Sequence, residues 1–232
     1  MRVKFNFSKN TTPVPVNNQS LLNGYVHKCL GKDNKYHDTK SDYSISILQG
    51  GRINLEDKTL NFEKGAYFTV TSNDNEFIQK LLMGVLTNPE LFFGMRFSGV
   101  DYVEETFHNG WNYFITLSPF IVKEYTDMKT YQYLTLNDVE FNSKLKTYLV
   151  NKLSKIDSTL DLKDFDVVVE NRPFNKVKTI MVKNVANKAN HCQLNINCSK
   201  KVAKLLYTIG IGQSTGSGFG TIYKTENHKI YN

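Results

Sequence analysis

Two consecutive stretches of this chain carry the same succession of periodicities, strand, helix, strand, strand, helix, strand. No other feature narrows the fold so far. In the first stretch Val3, Phe5 and Phe7 alternate with polar residues, the period of a half-buried strand. Asn17 and Asn18 then cap a helix through Leu22, Val26, Cys29 and Leu30 that Gly31 stops. YSISILQG and AYFTVTS read as strands, Asn73 to Leu86 as a second helix with an Asn88-Pro89 stop, and LFFGMRFSGVDYVEE as a return to strand. The second stretch opens on NYFITLSPFIV (112–122), a strand interrupted by Pro119, and a helix follows from Val139 to Leu153. FDVVVEN, VKTIMVKN and HCQLNINC are strand-like, KKVAKLLY is a short helix, and GTIYKT closes the series. The expected class is α+β, two tandem ferredoxin-like (βαββαβ) domains over 1–111 and 112–232, each an antiparallel sheet with helices on one face. At about 110 residues each, both fall within the usual range for a small domain.

Charge and cysteine usage limit the setting. Lys and Arg number 29 against 22 Asp and Glu, a net charge of +7 that suits a polyanionic partner. The three cysteines, Cys29, Cys192 and Cys198, are too few and scattered for a disulfide framework and read as reduced thiols of a cytoplasmic protein. MRVKFNFSKN alternates like a strand and has no apolar core, so neither a signal peptide nor a membrane partner is expected.

Five of the fourteen glycines crowd into IGIGQSTGSGFGTIY, at Gly210, Gly212, Gly216, Gly218 and Gly220. A P-loop needs a lysine straight after its last glycine, and none stands there. A dinucleotide fingerprint must open a helix, whereas here a helix precedes the loop and a strand follows, so a nucleotide-binding regulatory protein is the weakest reading. The loop is either a plain linker or a backbone cradle for phosphates, with Gln213, Ser214, Thr215 and Ser217 adding neutral donors.

A glycine-rich loop between the last helix and last strand of a second ferredoxin-like domain resembles the hallmark of the repeat-associated RNA-binding superfamily of CRISPR systems. Within it the chain is similar to the CRISPR-associated endoribonuclease that matures precursor guide RNA. LLNGYVHKCL resembles that family's first helix, and KYHDTKSDYSISILQG its histidine loop running into a strand. FITLSPFIV and IGIGQSTGSGFGTIY resemble the opening strand and terminal loop of its second domain, while 125–160 carries nothing recognisable. The resemblance implies metal-independent cleavage of CRISPR repeat RNA, with no cofactor. In that reaction the 2′-hydroxyl attacks the adjacent phosphate and leaves 2′,3′-cyclic phosphate and 5′-hydroxyl ends.

Such chemistry needs a base, an acid and a cation beside the phosphate. His37, in a polar loop between Lys35 and Lys40, is the first candidate for a proton role, with Lys40 as its electrostatic partner and Lys35 as a substitute. His27 shares a helix face with Asn23, four residues earlier, and is the second proton carrier; Tyr25 competes but points toward the apolar set. Which histidine is base and which acid stays open. His108, His191 and His228 are weaker, and no His or Cys spacing fits a zinc site. His37-Asp38-Thr39 also spells H-x-T, but the second copy that two-histidine phosphodiesterases require is missing. RNA contacts are expected from Gly210, Gly212, Gly216, Gly218 and the four polar residues among them, and from the basic hairpin candidates Arg172, Lys176 and Lys178. The partners to weigh are repeat RNA, a CRISPR effector complex and a second copy of the chain as a homodimer. A non-catalytic RNA-binding subunit of such a complex is the rival reading.

Overall fold

The computed structural model describes residues 1–31, 34–36, 42–127 and 130–226. In chain order the first half contains β1 (Arg2–Phe7), β2 (Val14–Pro15), α1 (Gln19–Leu30), β3 (Tyr43–Ile45), β4 (Arg52–Asn54), β5 (Thr59–Asn61), β6 (Ala66–Ser72), α2 (Asn75–Thr87) and β7 (Phe97–Val103). The second half contains β8 (Gly110–Thr116), β9 (Lys123–Tyr125), β10 (Tyr131–Tyr133), α3 (Phe141–Ile156), β11 (Asp166–Val168), β12 (Lys176–Val182), β13 (Val185–His191), β14 (Gln193–Cys198), α4 (Lys200–Ile209) and β15 (Ile222–Thr225).

The two main sheets run β3-β6-β1-β7 and β11-β14-β8-β15. Counting only the strands of each sheet, both orders are 2-3-1-4 with antiparallel neighbours, the ferredoxin-like arrangement twice over. The alternation of Val3, Phe5 and Phe7 puts all three in the first core, where Phe5 and Phe68, cross-strand partners, stack at 5.1 Å. Burying each such ring contributes roughly 1.5–3 kcal/mol. Leu145, Leu149 and Leu153 of α3 and Val202 and Leu206 of α4 fill the second core against Phe114, Leu194 and Ile196. Tyr25 belongs to the first core, its ring edge-on to Phe7 and its hydroxyl donating to the Asn88 carbonyl at 2.8 Å. Among the described residues no helix is long and apolar enough to cross a membrane.

Two strands are shorter than their sequence suggests. The segment read as a strand over 112–122 pairs only to Thr116, because the Leu117 and Ser118 amides both turn to the Thr221 carbonyl and Pro119 has no amide to continue the ladder. Before β7, Leu91 and Met95 close a tight turn instead of pairing with the sheet.

The halves meet through a polar seam. Arg2, only 4% exposed, donates from Nε to Thr71 Oγ1 at 2.7 Å and from Nη2 to the Tyr207 carbonyl at 3.0 Å, and its guanidinium lies 3.4 Å from the Tyr207 ring centroid. Ser44 Oγ donates to the Thr208 carbonyl at 3.1 Å, Ser118 Oγ accepts from the Ile47 amide at 2.8 Å, and Gln49 donates to the Leu117 carbonyl at 2.9 Å. A cavity of about 510 Å³ opens beside this seam, lined by Arg2, Tyr67, Thr116, His191 and Tyr223 among others.

Helices α1 and α2 touch at Gly84, where a Cβ would overlap the backbone carbonyl of Cys29. Gly24, on the exposed side of α1, has open space around its missing Cβ. Gly84→Ala should therefore lower the unfolding free energy by about 2 kcal/mol or more through forced separation of the helices. Gly24→Ala should raise it by about 0.5–1 kcal/mol through helix propensity, both read from urea unfolding midpoints.

His191 supplies a second test. Its Nδ1 lies 2.8 Å from Thr116 Oγ1, and burial, then Lys178 and Lys176, lower its pKa from 6.5 to about 4. Between those values the unfolded chain binds a proton that the folded chain does not, so stability must fall as pH drops through this window. After discounting for partial solvent access, His191→Gln should remove on the order of 1 kcal/mol of the stability lost between about pH 7 and about pH 4.5.

Candidate nucleic-acid interface

Helix α1 begins where Asn18 Nδ2 donates to the Pro15 carbonyl at 2.9 Å, fixing the entry of the chain. From there one helix face carries Gln19, Asn23 and His27 at four-residue spacing, so their side chains lie in a row. Gln19 Nε2 donates to Asn23 Oδ1 at 2.9 Å, and Asn23 Nδ2 donates to the Ser217 carbonyl in the glycine-rich loop at 3.3 Å. His27 follows one turn later, half-buried, in the last turn of α1 with Lys28.

The loop itself is a stitched element. Ile211 and Gly220 pair across it, with the Ile211 amide on the Gly220 carbonyl at 2.8 Å. The Gln213 amide bonds the Ile121 carbonyl at 2.8 Å and the Gly220 amide the Pro119 carbonyl at 3.0 Å. Lys152 of α3 donates to the Gly210 and Gly212 carbonyls, both at 2.9 Å. A short 3₁₀ turn, Thr215–Ser217, sits between left-handed Ser214 and Gly218, and Thr215 Oγ1 donates to the Tyr43 carbonyl at the start of β3 at 2.9 Å. A Cβ on Gly218 would run into the Gln19 amide, so glycine is what lets the loop lie against α1.

This changes the picture of an open cradle. Gly210, Gly212, Thr215, Gly216 and Gly218 are buried, and the first two direct their carbonyls at Lys152. Ser214 is exposed and Gln213 and Ser217 half-exposed, so the solvent-facing rim of the loop is formed by these three.

The basic hairpin also meets α1, but by its tip. Lys183 and Asn184, both at positive φ, make a two-residue turn between β12 and β13, and the Lys183 amide donates to Ser20 Oγ at 3.0 Å. Lys176 stands opposite His191 at the other end of the ladder, roughly 20 Å away by strand rise. Lys176 is exposed, while Lys178 is half-buried with its pKa lowered by burial and then by Lys176. Arg172 lies at that far end too, its guanidinium bonded to the Glu170 carboxylate, which also accepts from Asn195 at 2.7 Å.

His37 and Lys40 lie outside the described residues. Of their described neighbours, Tyr36 donates to Asp74 Oδ2 at 2.8 Å, and Lys35 is held by Glu76 at 2.9 Å and Asp74 at 3.8 Å at the start of α2. Hydrogen bonding to Glu76 raises the Lys35 pKa, and the same bond, followed by that from Lys80, lowers the Glu76 pKa to about 2. The charge of Lys35 is thus matched locally by carboxylates. Sequence reasoning passed over Lys152, Ser20 and Gln19. Lys152 stands out only as a lysine among the apolar spacing of α3, and Gln19 only as the residue four before Asn23.

Three elements far apart in sequence therefore share one surface: the Gln19–Asn23–His27 row, the rim of the terminal loop and the tip of the β12–β13 hairpin. Comparison with known proteins gives the family and the fold. The model of the family described as CRISPR associated protein Cas6, C-terminal, matches residues 102–223, just over half of the chain. A Cas6-related protein from Pyrococcus furiosus superposes with a TM-score of 0.83 at 20% identity, over 97% of this chain and 98% of that one. An RAMP protein binding different RNA substrates gives 0.83 at 18% identity, over 97% and 100%. Thermus thermophilus Cas6 gives 0.61 at 12% identity, over 97% of each chain. No curated protein matches by sequence. The structural likenesses carry the double ferredoxin-like fold, and on the family match this chain belongs to the Cas6 family of CRISPR-associated proteins.

Proposed function

We propose that this Cas6-family chain is an endoribonuclease that cuts CRISPR repeat RNA without a metal ion, turning precursor into guide RNA. The observation that carries the reading is the meeting of α1, the start of β3 and the terminal loop, through Asn23 on Ser217 and Thr215 on Tyr43. Those contacts put the His27 helix and the strand that follows the His37 segment against one loop.

In the proposed reaction the 2′-oxygen attacks phosphorus, the bond to the 5′-oxygen breaks, and the cyclic phosphate forms. One proton leaves the 2′-hydroxyl and one reaches the departing 5′-oxygen. His37 and His27 are assigned to these transfers, because an imidazole near its own pKa serves either direction at neutral pH. Lys40 is assigned to the charge that gathers on the phosphorane oxygens. The loop rim at Gln213, Ser214 and Ser217 and Lys183 at the hairpin tip hold RNA backbone, which gives affinity without sequence choice.

A second reading is favoured by the likeness to the RAMP protein binding different RNA substrates: an RNA-binding subunit of a CRISPR effector complex that does not cut. One experiment separates the two. Repeat RNA from the organism's array, incubated with the full chain in EDTA, should yield a 5′-hydroxyl product and a 2′,3′-cyclic phosphate. His37→Ala should slow single-turnover cleavage by roughly 10²–10⁴-fold while leaving binding within a few-fold. Tight binding with intact RNA throughout establishes the second reading, and cleavage that needs added magnesium overturns the chemistry proposed here.

A further inference from the structure

The β9–β10 hairpin presents an aromatic face of which Tyr133 packs against the buried cluster of Ile121, Ala189 and Phe219, while Tyr125 and Tyr131 project beyond it. Its antiparallel register sets Tyr131 opposite Tyr125, Gln132 opposite Glu124 and Tyr133 opposite Lys123. Opposed residues share a face and successive residues alternate, so Lys123, Tyr125, Tyr131 and Tyr133 all project from one side. Glu124 projects from the other, where it bonds Lys144 of α3 at 3.1 Å. Tyr125 and Lys123 also border a cavity of about 410 Å³ beside α3, shared with Ser143, Thr147 and Tyr148.

The rings form a ladder. Tyr125 and Tyr131 are 5.8 Å apart and Tyr131 and Tyr133 5.4 Å, with the Lys123 ammonium 4.1 Å from the Tyr131 centroid and 5.6 Å from that of Tyr133. The inner rung is anchored: the Tyr133 hydroxyl bonds Asn187 Oδ1 at 3.2 Å and the Ala186 carbonyl at 3.3 Å. The outer rungs are open, Tyr125 at 63% exposure and Tyr131 at 37%. Glu124 is paired with Lys144 and Asp127 accepts from the Thr130 amide and hydroxyl, so neither carboxylate is drawn onto the Lys123 ammonium, which stays over the rings.

Its position ties the ladder to the candidate interface. Gln213, on the loop rim, bonds the Ile121 carbonyl through its amide at 2.8 Å and reaches the Lys123 carbonyl with its side chain at 3.5 Å. We propose that Lys123, Tyr125 and Tyr131 form a stacking platform for unpaired bases of the RNA whose backbone the loop holds. This rests on the RNA-binding reading above and adds a specific subsite to it. Aromatic faces stack any base and an adjacent ammonium takes the phosphate, the pairing used for single strands. A-form duplex keeps its bases stacked on each other and offers such rings nothing comparable.

Fluorescence anisotropy with the full chain tests the platform, using labelled oligoadenylate of about fifteen nucleotides, a level at which several bases reach a stacking surface. An abasic ribose-phosphate chain of the same length and a repeat RNA serve as companions. Wild type should prefer oligoadenylate over the abasic chain by about tenfold or more. Tyr125→Ala and Tyr131→Ala should each lower affinity for oligoadenylate by about tenfold and leave the abasic chain within about twofold, while Tyr131→Phe keeps the preference. Alanine variants that bind oligoadenylate like wild type, or lose equally on both probes, overturn the platform. So does a wild type that binds repeat RNA but not oligoadenylate, or one for which duplex competes as well as single strand, and in both cases the proposed function stands. Wild type that binds none of these RNAs overturns both.

Discussion

Helix α4 ends inside the protein, and the carbonyls of its last turn need partners that the helix cannot provide. The Gly210 amide takes Leu206, Arg2 takes Tyr207 and Ser44 takes Thr208, so two of the three donors come from the other half of the chain. A buried carbonyl left without a donor costs about 1–3 kcal/mol. Arg2 also brings a positive charge to the negative end of the helix, and burial lowers its pKa only to about 10, so it stays charged at neutral pH. The relative position of the two sheets follows from this requirement. Separating them would break the Arg2–Tyr207 and Ser44–Thr208 bonds together.

The candidate interface inherits its geometry from that seam. With α4 fixed against β3, the loop that leaves α4 at Gly210 is delivered to α1, where Gln19 and Asn23 receive it and Thr215 reaches the Tyr43 carbonyl. Lys152 holds the loop from the opposite side. Such bracing orders the loop in advance, so the conformational entropy left to lose on binding any ligand there is small. The tyrosine ladder continues the same surface beyond Gln213.

Most of the architecture was legible because the two cores depend on simple periods. Val3, Phe5 and Phe7 could only be a strand, and the apolar spacing of Leu145, Leu149 and Leu153 only a helix, with α3 running to Ile156 instead of Leu153. Pro119 misled because the apolar run continues past it: Phe120, Ile121 and Val122 are buried, yet in a connection that bridges to Asn190 and Gln213. The β9–β10 hairpin escaped because three-residue strands are too short for alternation to register, although Tyr131-Gln132-Tyr133 carries it. At the candidate site, His27 and the glycine loop announced themselves by residue type. Their meeting did not, since it depends on the Asn23 amide, whose partner Ser217 lies 194 residues away, and on the close approach of Gly218 to Gln19. The far placement of Arg172 and Lys176 follows from the hairpin's length, which puts only its turn against α1.

The seam also dictates a schedule. Arg2 and Tyr207 are 205 residues apart, Asn23 and Ser217 194, and Tyr43 and Thr215 172. During translation the first half emerges complete, its Arg2 and Ser44 donors facing water, long before α4 and the loop exist. Contacts of such separation close late and slowly. On the ribosome, therefore, α1 and β3 wait without their partner until residues 210–220 have emerged.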